Sequence, residues 1–298
     1  MSAIIVSQST PAKSVPEVVE LEITGSCQLR CVHCFAESGP WGDHGAMTAS
    51  DWRRVIDESA ALGVRQIQLI GGEPTLHPAW PELVEHAPSL GLHTEIYSNL
   101  FHVRPHWWQL FSRDGVTLAT SYYSDRAKEH EAITARPGSY QRTRTHITEA
   151  VRRGVPLRVG IVSVLPGQRV VEAQQELEAL GVTRIRLDRT RRIGRASAPQ
   201  LSEEARAGEL CGRCGNGQVA VLASGDVAPC VMARWLVTGN VRDGGLASVI
   251  SGGTWAQALR VIPARESGDP CDPDCKPASD GSDCSPAERP ACEPKYEE

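Results

Sequence analysis

Six short extended runs alternate with helical runs between residues 18 and 187, and this alternation restricts the fold more than any other feature of the chain. VVELEIT at Val18–Thr24 is the first extended run; others are predicted at 65–70, 92–97, 116–121, 157–164 and 184–187. Between them, apolar residues recur at helical spacing over 47–62, 79–90, 104–111, 140–153 and 170–180. Thr48 stands at an N-cap position, and Gly63, Gly154 and Gly181 stand where helices would stop. Repeated strand–helix steps predict an α/β fold with a parallel sheet and helices outside it. The short connections favour a partial (β/α)6 TIM-like barrel, which places its active site in the loops after the carboxyl ends of the strands.

The ten cysteines are spread unevenly over the 298 residues: three at 27–34, none at 35–210, and seven beyond. This distribution predicts a leader at 1–16, a barrel at 17–195 and a small cysteine-rich domain at 196–298. No apolar run approaches the roughly 18 residues of a membrane span. The N-terminus also lacks the basic start and apolar centre of a signal peptide. A cytoplasmic location follows as the expectation, and there clustered cysteines read as metal ligands or catalytic thiols before disulfides. The net charge of −5 argues against a nucleic-acid binder.

CQLRCVHC supplies Cys27, Cys31 and Cys34 in a C-x3-C-x2-C loop directly after the first predicted strand. Three thiolates from one loop suit a four-iron cluster that keeps one iron free. Zinc with His33 or His44 as fourth ligand fits the local spacing as well. Context separates the two, because Gly71-Gly72-Glu73-Pro74 follows the second predicted strand and would meet the cysteine loop at the same barrel face.

With both motifs in this order, residues 18–195 resemble the radical S-adenosylmethionine (SAM) enzymes. The resemblance implies that Cys27, Cys31 and Cys34 bind a [4Fe–4S] cluster whose open iron is chelated by SAM. Reductive cleavage would then give methionine and a 5′-deoxyadenosyl radical that abstracts a substrate hydrogen, with a flavodoxin- or ferredoxin-type protein as external reductant. It also assigns SAM contacts: His33 beside the adenine, Gly71, Gly72, Glu73 and Pro74 toward the methionine amino group, Ser98 and Asn99 toward the ribose, and Ser121 as a further polar contact. Arg195, within IGRA, resembles a Gly-Arg segment common in the family and is expected at SAM or an acidic substrate.

The later cysteines resemble a SPASM domain, an extension of such enzymes that holds auxiliary iron–sulfur clusters. The resemblance implies that Cys211, Cys214, Cys230 and Cys292 hold one cluster, and Cys271, Cys275 and Cys284 a second with a non-cysteine ligand. Seven cysteines cannot fill two four-cysteine sites, so one or two auxiliary [4Fe–4S] clusters remain open, as does zinc. The spacing after Cys271 is stretched relative to the family, and a segment so poor in apolar residues would need metal to fold.

Tyr122 and Tyr123 replace a polar segment that SPASM proteins carry near the substrate mouth, and are expected either to shape selectivity or to pack in the core. Val231 stands where sulfatase-maturing relatives carry a catalytic Asp, which disfavours that activity. The resemblance favours a maturase acting on a ribosomally made precursor peptide, by crosslinking or epimerisation. With 26 residues before Cys27, leader recognition would fall to a separate leader-binding protein or to the barrel surface. The alternative is radical oxidation, dehydration or epimerisation of a small molecule such as a sugar or aminocyclitol. A non-enzymatic metal scaffold would leave GGEP without a purpose.

Overall fold

A computed structural model describes residues 15–198 and 201–263. Its six leading strands are β1 (Val18–Thr24), β2 (Gln66–Gly71), β3 (His93–Tyr97), β4 (Val116–Tyr122), β5 (Leu157–Ser163) and β6 (Ile185–Arg189). They pair in sequence order, and every pairing is parallel. Helices α1 (Ala49–Ala61), α2 (Trp80–Ser89), α3 (Trp107–Phe111), α4 (Ala127–Thr134), α5 (Ser139–Arg152) and α6 (Val170–Ala179) form the connections. The alternating pattern therefore folded as predicted, with α4 as an addition.

The local signals account for these elements. Thr48 accepts from the Asp51 amide while Asp51 accepts from the Thr48 amide, a reciprocal cap that sets the start of α1. Gly63 follows the helix at φ +83, a conformation that glycine adopts without a steric penalty. Trp52, Val55 and Ile56 then turn one face of α1 into the core beneath Val19, Leu21 and Ile23 of β1. Trp52 is fully buried, so truncation to alanine would remove about 3–5 kcal/mol of stability.

Beyond the barrel, helix α7 (Glu203–Ala207) precedes strands β7 (Gln218–Val221), β8 (Asp226–Ala228) and β9 (Gly239–Asn240). Strands β7 and β8 form an antiparallel hairpin around Ser224–Asp226, but it does not stand apart. Strand β7 pairs in parallel with β1, so the sheet runs β6-β5-β4-β3-β2-β1-β7-β8-β9. Helices α8 (Val241–Ser251) and α9 (Gly253–Leu259) complete the described chain, where the sequence showed no helical period. Gly244 and Gly245 interrupt the apolar spacing of α8, and Gly245 has φ +75 inside it. Among the described residues, no helix is long and apolar enough to cross a membrane.

The two faces of the barrel sheet differ in chemistry. Val19, Leu21 and Ile23 face the helices, while their neighbours Glu20 and Glu22 face inward. The register carries this inward row across the sheet from Glu20 to Gln68 and Glu95.

Candidate active site

The cysteine loop is held mainly by backbone. Gly25 and Asp43 bond across its base, and the Cys27 amide donates to the Gly39 carbonyl at 3.0 Å. Arg30 and Val32 donate to the carbonyls of Thr134 and Ile133 at the end of α4, which fixes the middle of the loop. The GGEP segment closes on the same loop: the Gly72 amide donates to Thr24 O at 2.7 Å, and the Glu73 amide to Ser26 O at 2.8 Å. A Cβ on Gly71 would overlap the Thr24 carbonyl, and one on Gly72 the Ser26 carbonyl. These glycines are thus required by the approach of two backbone segments, and both also face the cavity described below.

Glu73 is fully buried and does not reach that cavity. Its Oε1 accepts from the hydroxyls of Thr75 (2.7 Å) and Ser98 (2.9 Å), and its Oε2 from the Asn99 amide (2.8 Å). Burial raises its pKa, against the pull of these donors. Ser98 is equally buried, and Pro74, itself buried, starts a short turn over Pro74–Leu76. Glu73, Pro74 and Ser98 therefore shape the site from behind, whereas Asn99 lines it. The Asn99 side-chain amide donates to Cys27 Sγ at 3.6 Å, and its Oδ1 accepts from Gln28 and Phe101.

A cavity of about 370 Å³ opens at the carboxyl ends of the strands and continues into the barrel. Cys27, Cys31 and Cys34 line it together with His33, Gly71, Gly72, Asn99, Ser121, Tyr123 and Arg195. Burial is the main reason that the Cys27 thiol is pushed up, with Glu73, Cys31 and Cys34 adding to it. The Cys31 thiol is pushed up to about 12, again chiefly by burial and then by Cys34. Such thiols need a positive partner to ionise, as an iron–sulfur core provides. The Leu29 amide and the Asn99 side chain already donate to Cys27 sulfur, as they would to a thiolate ligand. His33 Nδ1, Gln28 Oε1 and Arg195 Nη1 are buried without protein partners around the same loop. Among the described residues no three ligating side chains converge on one point. Three thiols from one loop, with donors already directed at Cys27 sulfur and a glycine-rich loop packed beside them, fit a [4Fe–4S] core that leaves one iron for SAM.

Two expected contacts change role. Arg195 spends Nε on Cys31 O and Nη2 on Ser38 O, both at 2.8 Å, so it clamps the cysteine loop; only Nη1 is left toward a ligand. Tyr122 and Tyr123 separate by strand parity. Tyr123 lines the cavity, with its ring 5.2 Å from that of His33. Tyr122 points to the helix side, where its hydroxyl donates to Glu176 at 2.6 Å within the main core. A substrate role for Tyr122 is thereby corrected, because neighbouring strand residues face opposite sides of a sheet. Ser121 lies in the cavity, with its hydroxyl 3.4 Å from that of Tyr97. Burial, and then Arg195, lower the pKa of His33 to about 4, so its ring is neutral.

Cys211, Cys214 and Cys230 also line this cavity. Cys214 and Cys230 are bonded to each other, with Cα atoms 4.9 Å apart, and pack with Ile193, Leu210 and Ala233. Cys211 is free. Cys271, Cys275, Cys284 and Cys292 lie outside the described residues.

Sequence reasoning missed the charged residues deeper in the barrel. Glu95 is bound by Arg158 through Nε and Nη2 at 3.2 and 2.8 Å and by Gln68. Burial raises the Glu95 pKa, but Arg158 outweighs it and leaves the carboxyl below its usual range. Glu22 is bound by both terminal nitrogens of Arg234, at 2.6 and 2.9 Å. Glu20 accepts from the Val231 amide at 2.8 Å. A signal for them existed: in VVELEIT two acids alternate with apolar residues, which in a helix-covered sheet marks an inward polar row.

A parallel barrel sheet with three loop thiols packed against a glycine-rich second loop defines a radical enzyme scaffold. The comparisons agree: the family model for the Radical SAM superfamily matches residues 21–180, and this chain belongs to that superfamily. The SPASM model, described as an iron–sulfur cluster-binding domain, matches residues 211–277. The sporulation killing factor maturation protein SkfB of Bacillus subtilis is 26% identical over 185 residues, covering 61% of this chain and 45% of its own. An AdoMet-dependent heme synthase of Methanosarcina barkeri is 27% identical, covering 49% and 42%. A PqqA peptide cyclase of Ruegeria pomeroyi is 30% identical, covering 51% and 41%. The chain thus spans less than half the length of these curated relatives. Among solved structures, Streptococcus suis SuiB bound to precursor peptide SuiA superposes with a TM-score of 0.70 at 15% identity, covering 83% of this chain and 67% of that one.

Proposed function

We propose that this chain is a radical SAM maturase that crosslinks or epimerises a ribosomally made precursor peptide in the cytoplasm. The observation that carries the reading is the shared cavity, which is lined both by the cysteines of the first loop and by Cys211, Cys214 and Cys230. A cluster on Cys27, Cys31 and Cys34 would supply the electron that cleaves SAM and releases the radical that takes a substrate hydrogen. The chain's own residues bind and orient. Gly71 and Gly72 present backbone, Asn99 holds the cysteine loop to β3, Arg195 clamps Cys31, and Tyr123 closes the side near His33. Once the bond between Cys214 and Cys230 is reduced, Cys211, Cys214 and Cys230 would hold an auxiliary cluster with Cys292, and Cys271, Cys275 and Cys284 would serve a second. A flavodoxin or ferredoxin supplies the electron, and a separate protein or the barrel surface binds the leader. Support for a peptide comes from the similarity to the maturation protein SkfB, the PqqA peptide cyclase and SuiB bound to its precursor peptide.

The test has two stages. Anaerobic reconstitution followed by SAM and a strong reductant yields 5′-deoxyadenosine; a loaded enzyme that yields none overturns the radical reading. Co-expression with a peptide encoded beside the gene is then followed by mass spectrometry. Loss of two hydrogens indicates crosslinking, and deuterium gained from heavy water at constant mass indicates epimerisation. The heme synthase relative favours one second reading, a small-molecule substrate, and an unmodified peptide beside active SAM cleavage selects it.

A further inference from the structure

The inward row of β1 and β3 holds three buried carboxylates, and the protein treats them unequally. Glu22 is neutralised by Arg234 and Glu95 by Arg158, each through two hydrogen bonds. Glu20 lies between them, at 7% exposure, and lines the cavity. Among the described residues its one hydrogen bond is to the uncharged Val231 amide, through Oε2, and no cation pairs with it. Glu22 and Glu95 both act on it as like charges, which deepens the deficit.

A buried carboxylate without a counter-ion costs several kcal/mol unless something compensates it. Packing has not removed Glu20 from the cavity, and no described arginine pairs with it although six arginines line the same space. Its second oxygen, Oε1, remains available to a donor that arrives from the cavity. The position of Glu20 constrains that donor. It lies four residues down β1 from Thr24, roughly 13 Å at about 3.3 Å per residue, below the level of the cysteine loop. A group that reaches it from the SAM end needs a long arm, which suits a side chain better than a backbone amine.

We propose that Glu20 is the floor of a cation subsite that receives a lysine or arginine side chain of the peptide being modified. The proposal rests on the peptide reading above and narrows it: the precursor carries a basic residue close to the modified position. The cation would pair with Oε1 while Val231 keeps Oε2, so the carboxylate would then be satisfied on both oxygens.

Calorimetric binding of two probes to reconstituted enzyme tests it: Nα-acetyl-lysine amide and its uncharged counterpart Nα-acetyl-norleucine amide. The expected result is binding of the lysine probe at least about tenfold tighter than the norleucine probe. Glu20→Gln abolishes the preference, and Glu20→Asp, which keeps the charge, restores part of it. Equal binding of the two probes, or none of either, overturns the proposal, as does a preference that survives in Glu20→Gln. Displacement of the lysine probe by SAM also overturns it, because Glu20 would then serve SAM rather than the peptide. SAM cleavage by the wild-type sample is read in parallel. Its absence sinks the radical reading itself, whereas its presence beside indifferent probes sinks the subsite alone.

Discussion

The two cysteine-bearing walls of the cavity are built by different means. Cys27, Cys31 and Cys34 come from one loop, and backbone hydrogen bonds to GGEP and to α4 hold that loop in place. Cys211 and Cys214 share one segment and Cys230 comes from another; Cys214 and Cys230 are bonded to each other and pack with Ile193 and Leu210. Their position against the barrel depends on β1, which pairs with β7 and binds the segment after Cys230 through Glu20 and Glu22. One wall is thus encoded locally, and the other is assembled by strand pairing and two buried carboxylates. The strand that leads into the first loop also carries the docking groups for the second.

The largest test of this contrast is metal content. Cys27→Ala should eliminate 5′-deoxyadenosine formation and remove the iron of the first site, while Cys211→Ala lowers only the remaining iron. Iron and sulfide analysis reads both, and parallel losses in the two variants would mean the walls are not independent.

Next in size is the join between the walls. Arg234→Ala leaves Glu22 buried without its partner, which should destabilise the protein by about 3–5 kcal/mol in denaturant unfolding of the metal-free form. A change below about 1 kcal/mol would show that β7 pairing alone seats the second wall.

Glu20 supplies a pH test with a definite sign. Burial raises its pKa from 4.5 to about 7, so the folded state binds its proton more tightly than the unfolded state does. Its stabilising contribution is complete below about pH 4.5 and is lost as pH rises through about 7. The displacement corresponds to about 3 kcal/mol. Metal-free Glu20→Gln should therefore match wild type near pH 4 and exceed it by about that amount near pH 8. Parallel stability curves for the two proteins would refute the unpaired buried carboxyl.

The smallest effect separates the two tyrosines. Tyr122→Phe removes one hydrogen bond to Glu176, which keeps those of Tyr140 and Arg144, so unfolding should shift by about 1 kcal/mol. Tyr123→Phe instead alters the cavity wall beside Cys31 and should change the binding of SAM or substrate, which isothermal titration would register.

What was legible in the sequence was local in origin. The six strands, the Thr48 cap and the glycine stops follow from periodicity and from side chains a few residues apart, and the structure reproduces them. Helix α8 was not legible, because Gly244 and Gly245 break the pattern and neighbouring elements supply its support. The Glu58 carboxylate, for example, accepts from the Leu246 amide at 2.6 Å. Tyr122 and Tyr123 were named together although one residue step decides which faces the cavity. Strand parity could have separated them once the core-facing side of β4 was identified.

The sequence by itself determined the chemistry on offer: three thiols in one loop, a glycine-rich partner loop, and an even alternation that must place both at one end of a parallel sheet. Only the tertiary structure decided which groups meet. It carried β7 to the edge of β1, turned Arg195 into a clamp, set Glu73 behind the site and, among the described residues, left Glu20 without a cation. The physical reason is range. Caps, turns and periodicity act over a few residues, whereas strand pairing and buried charge compensation join positions more than 200 residues apart, such as Glu22 and Arg234.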